Sequence, residues 1–380
     1  MLLFTLTIIL IGMLNVALET SLTQASNNNV IFFQKGMSYA TYAFKNRPDQ
    51  YERPESDKSL ESMKKVGIEW VALNVIWYQD KYNSTTIYPN ETEYSPTNES
   101  VVHAINKIHE LEMKVMLKPM IDVSKETDPD PWRGKIQPST AWFQSYANFI
   151  NFFATLANQT NVEMLCIGTE LNRTASWETE WRNIISGVRQ RYSRPLTYAA
   201  IWWKEFDEYV KWWDALDYVG IDAYFPLSNK SDPTITEMKA TWESISNYLN
   251  FFYTKVTKPI IFTEIGYLSA NGTNIEPWNY HLMDTNALDL QEQVDCYEAA
   301  FQALWNRTWL NGTYWWYWQT SPDAGGSNNK DYTPQNKPAQ GVLTHWYSVI
   351  PEFPSALILP IFMIVTLLTV IVYRRKHFQL

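Results

Sequence analysis

The chain has 380 residues, of which 46% are hydrophobic and 19% are charged, and its formal net charge is −9 at pH 7. The apolar content and the low glycine count, 13, exclude a collagen, a coiled coil or a disordered chain, and the acidic balance argues against a nucleic-acid partner. The aromatic content is 15%, with 18 Trp, which favours surfaces that stack on sugars; a tryptophan-rich core is the alternative.

The first predicted element is an apolar segment at the amino terminus. Residues 2–18 are almost wholly apolar, and the small-residue sequence Thr23-Gln24-Ala25 follows them. This pattern predicts a secretory signal peptide over residues 1–25. Because no basic residue precedes Lys35, an uncleaved signal anchor remains the alternative.

Residues 30–347 are predicted to form one domain, in which short apolar runs alternate with helical stretches and no linker intervenes. The runs cover residues 32–40, 68–77, 114–123, 162–171, 195–203, 216–225, 258–267 and 312–320. They are continuously apolar, which is typical of parallel strands buried on both faces. Helical stretches lie between them at residues 56–66, 98–111, 140–158, 176–191, 234–256 and 288–309.

Eight such strand–helix units predict an α/β fold, a (β/α)8 TIM barrel with some long loops. A doubly wound open sheet is the alternative, but it is expected to carry a glycine-rich phosphate turn, which this sequence lacks. After the eighth strand only residues 338–347 remain for the last helix. Whether that helix forms is left open by the sequence.

The carboxyl-terminal segment predicts attachment to a membrane or cell surface. Residues 356–373 form an apolar run that Arg374, Arg375 and Lys376 follow at once. At 1.5 Å per residue the run spans roughly 27 Å, enough for a transmembrane helix, and the basic residues would stay inside; a buried core helix is the alternative. Together with residues 351–355 it resembles archaeal PEF-type sorting tails, which implies that residues 351–380 are cut and the protein is attached to the cell surface.

Glycosylation motifs agree with export. They begin at Asn83, Asn90, Asn98, Asn158, Asn172, Asn229, Asn271, Asn306 and Asn311. This is more than the roughly four that residue frequencies give by chance, so we expect an extracellular, cell-surface or membrane-anchored glycoprotein. Cys166 and Cys296 are the only cysteines; we expect two buried free thiols, with a disulfide between them as the alternative, and no zinc site.

Catalytic residues of a TIM barrel lie at the carboxyl ends of its strands. Glu170 and Glu264 each follow an apolar run directly. The other residues at these ends are Asp122, Trp202, Asp222, Tyr224, Trp316 and Trp318.

Paired carboxylates among aromatic residues are typical of retaining glycoside hydrolysis. One carboxylic acid protonates the leaving oxygen and one carboxylate attacks the anomeric carbon, at a separation of roughly 5–5.5 Å. Their environments must keep their pKa values apart. Strands four and seven lie across the mouth of the predicted barrel, so Glu170 and Glu264 are the candidate pair; for either one alone, a salt bridge or a helix cap is the alternative.

Several other side chains are candidates for the substrate site. We expect Tyr224 to donate a hydrogen bond to Glu264. Alternation along the eighth strand puts Trp316 and Trp318 on one face, so that both point inward and either could form the floor under the sugar. Further candidates for substrate contact, with packing as the alternative, are Asn74, Trp77, Trp202, Trp203, Asp222 and Trp278.

The motifs around the two glutamates carry a family resemblance. Residues 166–171 (Cys-Ile-Gly-Thr-Glu-Leu) and 259–267 (Pro-Ile-Ile-Phe-Thr-Glu-Ile-Gly-Tyr) resemble the catalytic strands of clan A glycoside hydrolases. More narrowly, residues 30–345 resemble glycoside hydrolase family 113, whose known members are β-1,4-mannanases. The supporting motifs are residues 36–39, 117–119, 222–226, 277–278, 315–318 and 325–326.

The resemblance implies roles for individual residues. Glu170 would be the acid/base and Glu264 the nucleophile. Thr169 stands where most members of the clan have an asparagine that contacts the sugar 2-hydroxyl, and Thr169 could donate to the substrate less directly. The sugar preference at that subsite therefore stays open.

Three classes of function remain at this stage. The first is an exported, surface-attached, retaining endo-β-mannanase that acts on a β-linked polysaccharide and needs no metal or other cofactor. The second is the same barrel with another β-linked substrate, such as a glucan or the cell's own envelope glycans. The third is a non-catalytic carbohydrate-binding surface protein, which could dispense with one of the two carboxylates.

Overall fold

The structure, a computed structural model, describes residues 33–350. The predicted signal peptide, residues 1–25, and the predicted sorting and transmembrane tail, residues 351–380, lie outside the described residues. Residues 34–350 form one compact unit. Within residues 33–350 no helix is both long and apolar enough to cross a membrane.

Eight parallel strands close into a barrel in chain order, with β8 paired to β1. This confirms the predicted (β/α)8 barrel and excludes the open sheet. The strands are β1 (Gln34–Ala40), β2 (Trp70–Gln79), β3 (Lys114–Val123), β4 (Met164–Thr169), β5 (Leu196–Ile201), β6 (Val219–Asp222), β7 (Ile260–Ile265) and β8 (Leu310–Gln319).

Helices follow the strands and cover the barrel. They are α1 (Pro54–Lys65), α2 (Asn98–Glu110), α3 (Thr140–Gln159), α4 (Glu178–Arg189), α5 (Ile235–Val256), the short α6 (Leu282–Thr285), α7 (Leu290–Leu304) and α8 (Pro338–Val349). The helix starts follow local chemistry: Pro54 occupies the first turn of α1, and Thr234 and Glu237 form a capping box on α5. The last helix, α8, does form.

Most of the largest buried side chains are aromatic. Inside the barrel the core is formed by Ala72, Met116, Met164, Cys166, Ala199, Ile261 and Tyr314. Six of the 18 tryptophans are fully buried, namely Trp142, Trp181, Trp212, Trp242, Trp315 and Trp318. The tryptophan-rich core is therefore the right interpretation for this third of the tryptophans. Both cysteines are buried and free, as predicted.

Candidate active site

Glu264, near the carboxyl end of β7, is held by two hydrogen-bond donors. Lys118 Nζ lies 2.5 Å from Glu264 Oε1, and the Tyr224 hydroxyl donates to Oε2 over 2.8 Å. The Tyr224 contact is the one that the sequence predicted. A carboxylate that receives one hydrogen bond on each oxygen has a fixed orientation. Lys118 and Tyr224 therefore aim the carboxyl group of Glu264.

Lys118 is shared between two carboxyl groups inside the barrel. Its Nζ lies 3.4 Å from Asp222 Oδ1, which also accepts from the Thr263 hydroxyl over 2.7 Å. Burial disfavours the charge on Lys118, but Asp222 and Glu264 outweigh it and raise the pKa of Lys118 above its ordinary value. Burial, together with the charge of Glu264, raises the pKa of Asp222 well above its ordinary value. Lys118 thus joins Asp222 and Glu264 in one buried network.

Glu170 directly follows β4 and turns into the mouth of the barrel. The ladder between β4 and β5 shifts register between Cys166 and Thr169, and Glu170 has a left-handed backbone conformation with φ 52°. Its amide is fixed by the carbonyl oxygen of Ala199 over 2.8 Å. Non-glycine residues in this conformation cluster at functional sites. Here the turn directs the carboxyl group away from the strand ladder.

The carboxyl group of Glu170 has a different environment from that of Glu264. Trp132 Nε1 donates to Glu170 Oε2 over 3.1 Å, and Arg133 Nη1 lies 3.9 Å from the same oxygen. Burial raises the pKa of Glu170; Arg133 and Trp132 lower it, and the negative charge of Glu264 raises it, with a net rise. Burial thus favours the protonated form of Glu170.

A second ion pair supports Arg133. Its Nε and Nη2 donate to Asp122 Oδ1 over 3.0 and 2.6 Å, and the Tyr42 hydroxyl donates to Asp122 Oδ2 over 3.2 Å. The forked contact fixes the plane of the guanidinium group. Asp122, which the sequence placed at the end of strand three, thus holds Arg133 in its position near Glu170.

Four predicted aromatic residues do border the mouth. Tyr224, Trp202 and Trp316 belong to one cluster there, and Trp278 packs on Trp202 with ring centroids 5.4 Å apart. Trp316 also faces Tyr42, at a centroid distance of 6.0 Å. Tyr224, which donates to Glu264, connects this cluster to that glutamate.

Trp318 does not share the face of Trp316, so that prediction is wrong. In the pairing of β8 with β1, Met37 is opposite Trp315 and Tyr39 is opposite Trp318, so Trp316 and Tyr317 together face one residue. A bulge of this kind breaks the alternation of side chains. Trp318 is 1% exposed, and its indole donates to Ser59 on α1 over 2.9 Å.

Three other predicted substrate contacts are buried within the barrel. Asn74 is fully buried in the middle of β2, where its amide donates to the carbonyl oxygens of Tyr39 and Ala72. Asp222 is fully buried opposite Glu264 in the pairing of β6 with β7. Strand β2 continues to Gln79, which places Asn74 below the mouth. Asn74 and Asp222 therefore contact protein groups, Asp222 through Lys118, whereas the contact of Thr169, which is 2% exposed, with the substrate stays a prediction.

Sequence reasoning missed three residues that touch the glutamates. Lys118 belongs to one of the family motifs, residues 117–119. A single lysine inside an apolar strand could have indicated a buried charge near the site. Trp132 and Arg133 lie in the loop after β3, where no periodic pattern exists to place them. Across residues 33–350, no group of three or more His, Cys, Asp or Glu side chains could hold a metal ion.

Comparison with known proteins agrees with this site. Residues 40–337 match the model of Glycoside Hydrolase Family 113. The chain belongs to glycoside hydrolase family 113. It is therefore a glycoside hydrolase, and the family match spans β2–β8 and both glutamates. Among curated protein sequences, none matches the chain.

Solved structures from the same family are similar over most of the chain. A complex structure of a GH113 β-1,4-mannanase has 26% sequence identity and a TM-score of 0.73, covering 84% of this chain and 99% of its own. The GH113 β-mannanase AaManA from Alicyclobacillus acidocaldarius has 26% identity and a TM-score of 0.73, covering 84% and 98%. A β-D-glucuronidase from Dictyoglomus thermophilum, at 14% identity and a TM-score of 0.54, covers 85% of this chain and 52% of its own and shares the fold alone.

Proposed function

We propose that the protein is a retaining endo-β-1,4-mannanase with Glu264 as nucleophile and Glu170 as acid/base. The observation that carries this proposal is the contrast between the two glutamates. Glu264 accepts from Lys118 and Tyr224, whereas burial raises the pKa of Glu170. Retaining hydrolysis needs one charged and one protonated carboxyl group at the same bond.

The proposed reaction has two displacements. In the first, Glu264 attacks the anomeric carbon, the glycosidic bond breaks, and the proton of Glu170 passes to the leaving oxygen. In the second, the Glu170 carboxylate takes a proton from water, the water oxygen attacks the anomeric carbon, and the bond to Glu264 breaks. Two inversions leave the product with its β configuration. Trp316 is proposed as the ring beneath the reacting sugar.

Mannan is the proposed polymer because the similar family 113 structures are of β-1,4-mannanases. A β-glucan is the second candidate, because the two glutamates act on the glycosidic bond and do not distinguish between sugar epimers. Family membership favours both enzymes over a non-catalytic surface protein. We also propose that the protein is exported; in support, five of its sequon asparagines are exposed, namely Asn83, Asn98, Asn158, Asn229 and Asn306.

The test is release of reducing ends from β-mannan, glucomannan, cellulose derivatives and xylan in parallel. We expect release from the mannans, and Glu264→Gln should lower it by at least about a thousandfold because the nucleophile is lost. Proton NMR of the first product should show the β anomer.

The matched control is Glu163→Gln, which changes a half-buried glutamate just before β4, at the end of the barrel away from the mouth, where it accepts from the amide of Val115 over 2.9 Å. It should retain most of the turnover. Equal turnover of Glu264→Gln and the unchanged protein would reject the assignment of the nucleophile. Release from glucans alone would keep the mechanism and replace the substrate.

A further inference from the structure

Two loops that follow opposite strands meet above the mouth of the barrel. The loop from β3 to α3 (residues 124–139) contains Asp130, and the loop from β7 to α6 (residues 266–281) contains Tyr280. The Tyr280 hydroxyl donates to Asp130 Oδ1 over 2.7 Å. In a closed ring of eight strands, β3 and β7 lie on opposite sides, so this contact spans the mouth. We refer to the two joined loops as the arch.

Both ends of the arch are anchored. On the β3 side, Lys135 Nζ and the Tyr82 hydroxyl both donate to Asp128 Oδ2, over 2.6 and 2.7 Å. On the β7 side, the Tyr332 hydroxyl donates to the carbonyl oxygen of Pro277 over 2.7 Å. The contact between Asp130 and Tyr280 therefore joins two loops that are already held in place.

The arch passes over the side of the mouth where Glu170 lies. Trp278, in the β7 loop, packs on Trp202 at the end of β5. Trp132, in the β3 loop, donates to Glu170 at the end of β4. Both contacts fall on the arc of the ring that runs from β3 through β4, β5 and β6 to β7, and not on the arc through β8, β1 and β2.

Exposed indole rings line this side. Trp203 is 58% exposed and Trp278 is 44% exposed, and Trp202 lies between them, with centroids 5.7 Å from Trp203 and 5.4 Å from Trp278. We call these three residues the platform. Flat rings that are supported from behind and open to solvent are suited to stacking on sugar faces.

We propose that the platform binds the sugar units of the leaving group, and that Tyr280 is a positioning residue that holds the Trp278 loop against the platform. The ligand is a β-linked hexose chain on the reducing side of the cleaved bond. The inference rests on the proposed function, because the acid/base stands beside the departing sugar. Substrates that differ only in their leaving group should then respond differently to loss of the arch contact.

The experiment compares two substrates with the full chain, purified in detergent. One is β-1,4-mannohexaose, whose leaving group is sugar, and the other is 4-nitrophenyl β-mannobioside, whose leaving group carries no sugar. Tyr280→Phe removes only the hydroxyl, and we expect it to lower kcat/KM for the hexaose about fivefold, chiefly through KM. The nitrophenyl substrate should change by less than about twofold.

Matched variants separate the arch from a general effect. Tyr248 and Tyr280 are both 44% exposed, and both donate to an aspartate, which is Asp207 for Tyr248. Because Tyr248 lies on α5, Tyr248→Phe should leave kcat/KM unchanged for both substrates. Asp130→Asn keeps an acceptor for Tyr280 and should restore most of the hexaose activity that Asp130→Ala loses. Trp278→Ala removes part of the platform and should lower hexaose cleavage by at least about tenfold.

Two results would overturn the inference: an equal loss on both substrates, or no loss on the hexaose in Tyr280→Phe and Trp278→Ala. Cellohexaose and 4-nitrophenyl β-cellobioside are measured in parallel. Cleavage of only this second series would reject the mannanase proposal. The effect of Tyr280→Phe would then be compared between cellohexaose and 4-nitrophenyl β-cellobioside. If the unchanged protein cleaved neither series, both proposals would fall.

Discussion

Glu170 and Glu264 lie at the same mouth but contact different groups, and these contacts support the different roles proposed for them. Glu264 is contacted by the ammonium group of Lys118 over 2.5 Å. Glu170 is partly removed from water, and the nearest cation, Arg133, stays 3.9 Å away while it is bound to Asp122. A cation already paired elsewhere lowers the pKa of a nearby acid less than a free one would. In the proposed mechanism, the roles of the two glutamates thus depend on which carboxyl group each cation contacts.

The indole of Trp132 gives a test at this scale. Trp132→Phe removes the hydrogen bond that lowers the pKa of Glu170, so the pKa of Glu170 should rise. Because Glu170 must be protonated to act as the acid, the alkaline limb of kcat/KM should move to higher pH. The measurement is the pH profile of kcat/KM with mannohexaose.

The control is an indole–glutamate hydrogen bond far from the mouth. Trp346, on α8, donates to Glu298 Oε2 over 2.9 Å, and Trp346→Phe should leave the alkaline limb in place. A limb that moves to lower pH in Trp132→Phe would contradict the assignment of Glu170 as the acid.

At the scale of elements, the bulge in β8 changes which face of the strand each side chain lies on. Trp315 and Trp318 point toward helices, where Trp315 stacks on Tyr297 and Trp318 binds Ser59. Trp316, between them, remains at the mouth. The strand thus supplies both the packing on its outer side and the ring proposed to lie beneath the sugar.

Two substitutions in β8 should have opposite consequences. Trp318→Phe loses a buried hydrogen bond and some volume, so it should lower the free energy of unfolding by about 1–3 kcal/mol without changing KM. Trp316→Ala should lower kcat/KM by at least about tenfold. Urea unfolding and kinetics on mannohexaose measure the two effects. A raised KM in Trp318→Phe would contradict the orientation of that side chain.

The elements and the glutamates were predictable from the sequence because they follow periodic signals. Continuous apolar runs marked all eight strands, and the carboxyl ends of those runs marked Glu170 and Glu264. The bulge in β8 has no such signal, so the prediction for Trp318 failed. Arg133 could not be found for another reason: its position depends on a long loop folding back onto Asp122, a contact that local sequence does not encode.

At the scale of the whole molecule, closure of the barrel depends on the seam between β1 and β8. Gly312 pairs with Gln34 there, and a Cβ at position 312 would lie 2.5 Å from the Cβ and 2.9 Å from the carbonyl oxygen of Gln34. Gly312→Ala should therefore destabilise the fold by about 1–3 kcal/mol, because the two strands must separate slightly. Urea unfolding followed by circular dichroism measures this.

A second glycine provides the control. A Cβ at position 341, in α8, would have no neighbouring atom within 4 Å. Gly341→Ala should therefore stabilise the protein by up to about 1 kcal/mol, because alanine has the higher helix propensity. Equal destabilisation by both substitutions would show that the pairing of β1 with β8 is not disturbed by a Cβ at position 312.

The paths of β1 and α8 determine how the enzyme can be oriented. Gln34 opens β1, so the described chain enters at the amino ends of the strands, opposite the two glutamates. The final helix returns to this face, where the Tyr347 hydroxyl donates to the carbonyl oxygen of Gly36 over 3.2 Å. The described chain therefore begins and ends on the face of the barrel away from the catalytic mouth. Immobilising the protein on a bead through residue 33 or residue 350 should leave that mouth accessible to long polymers.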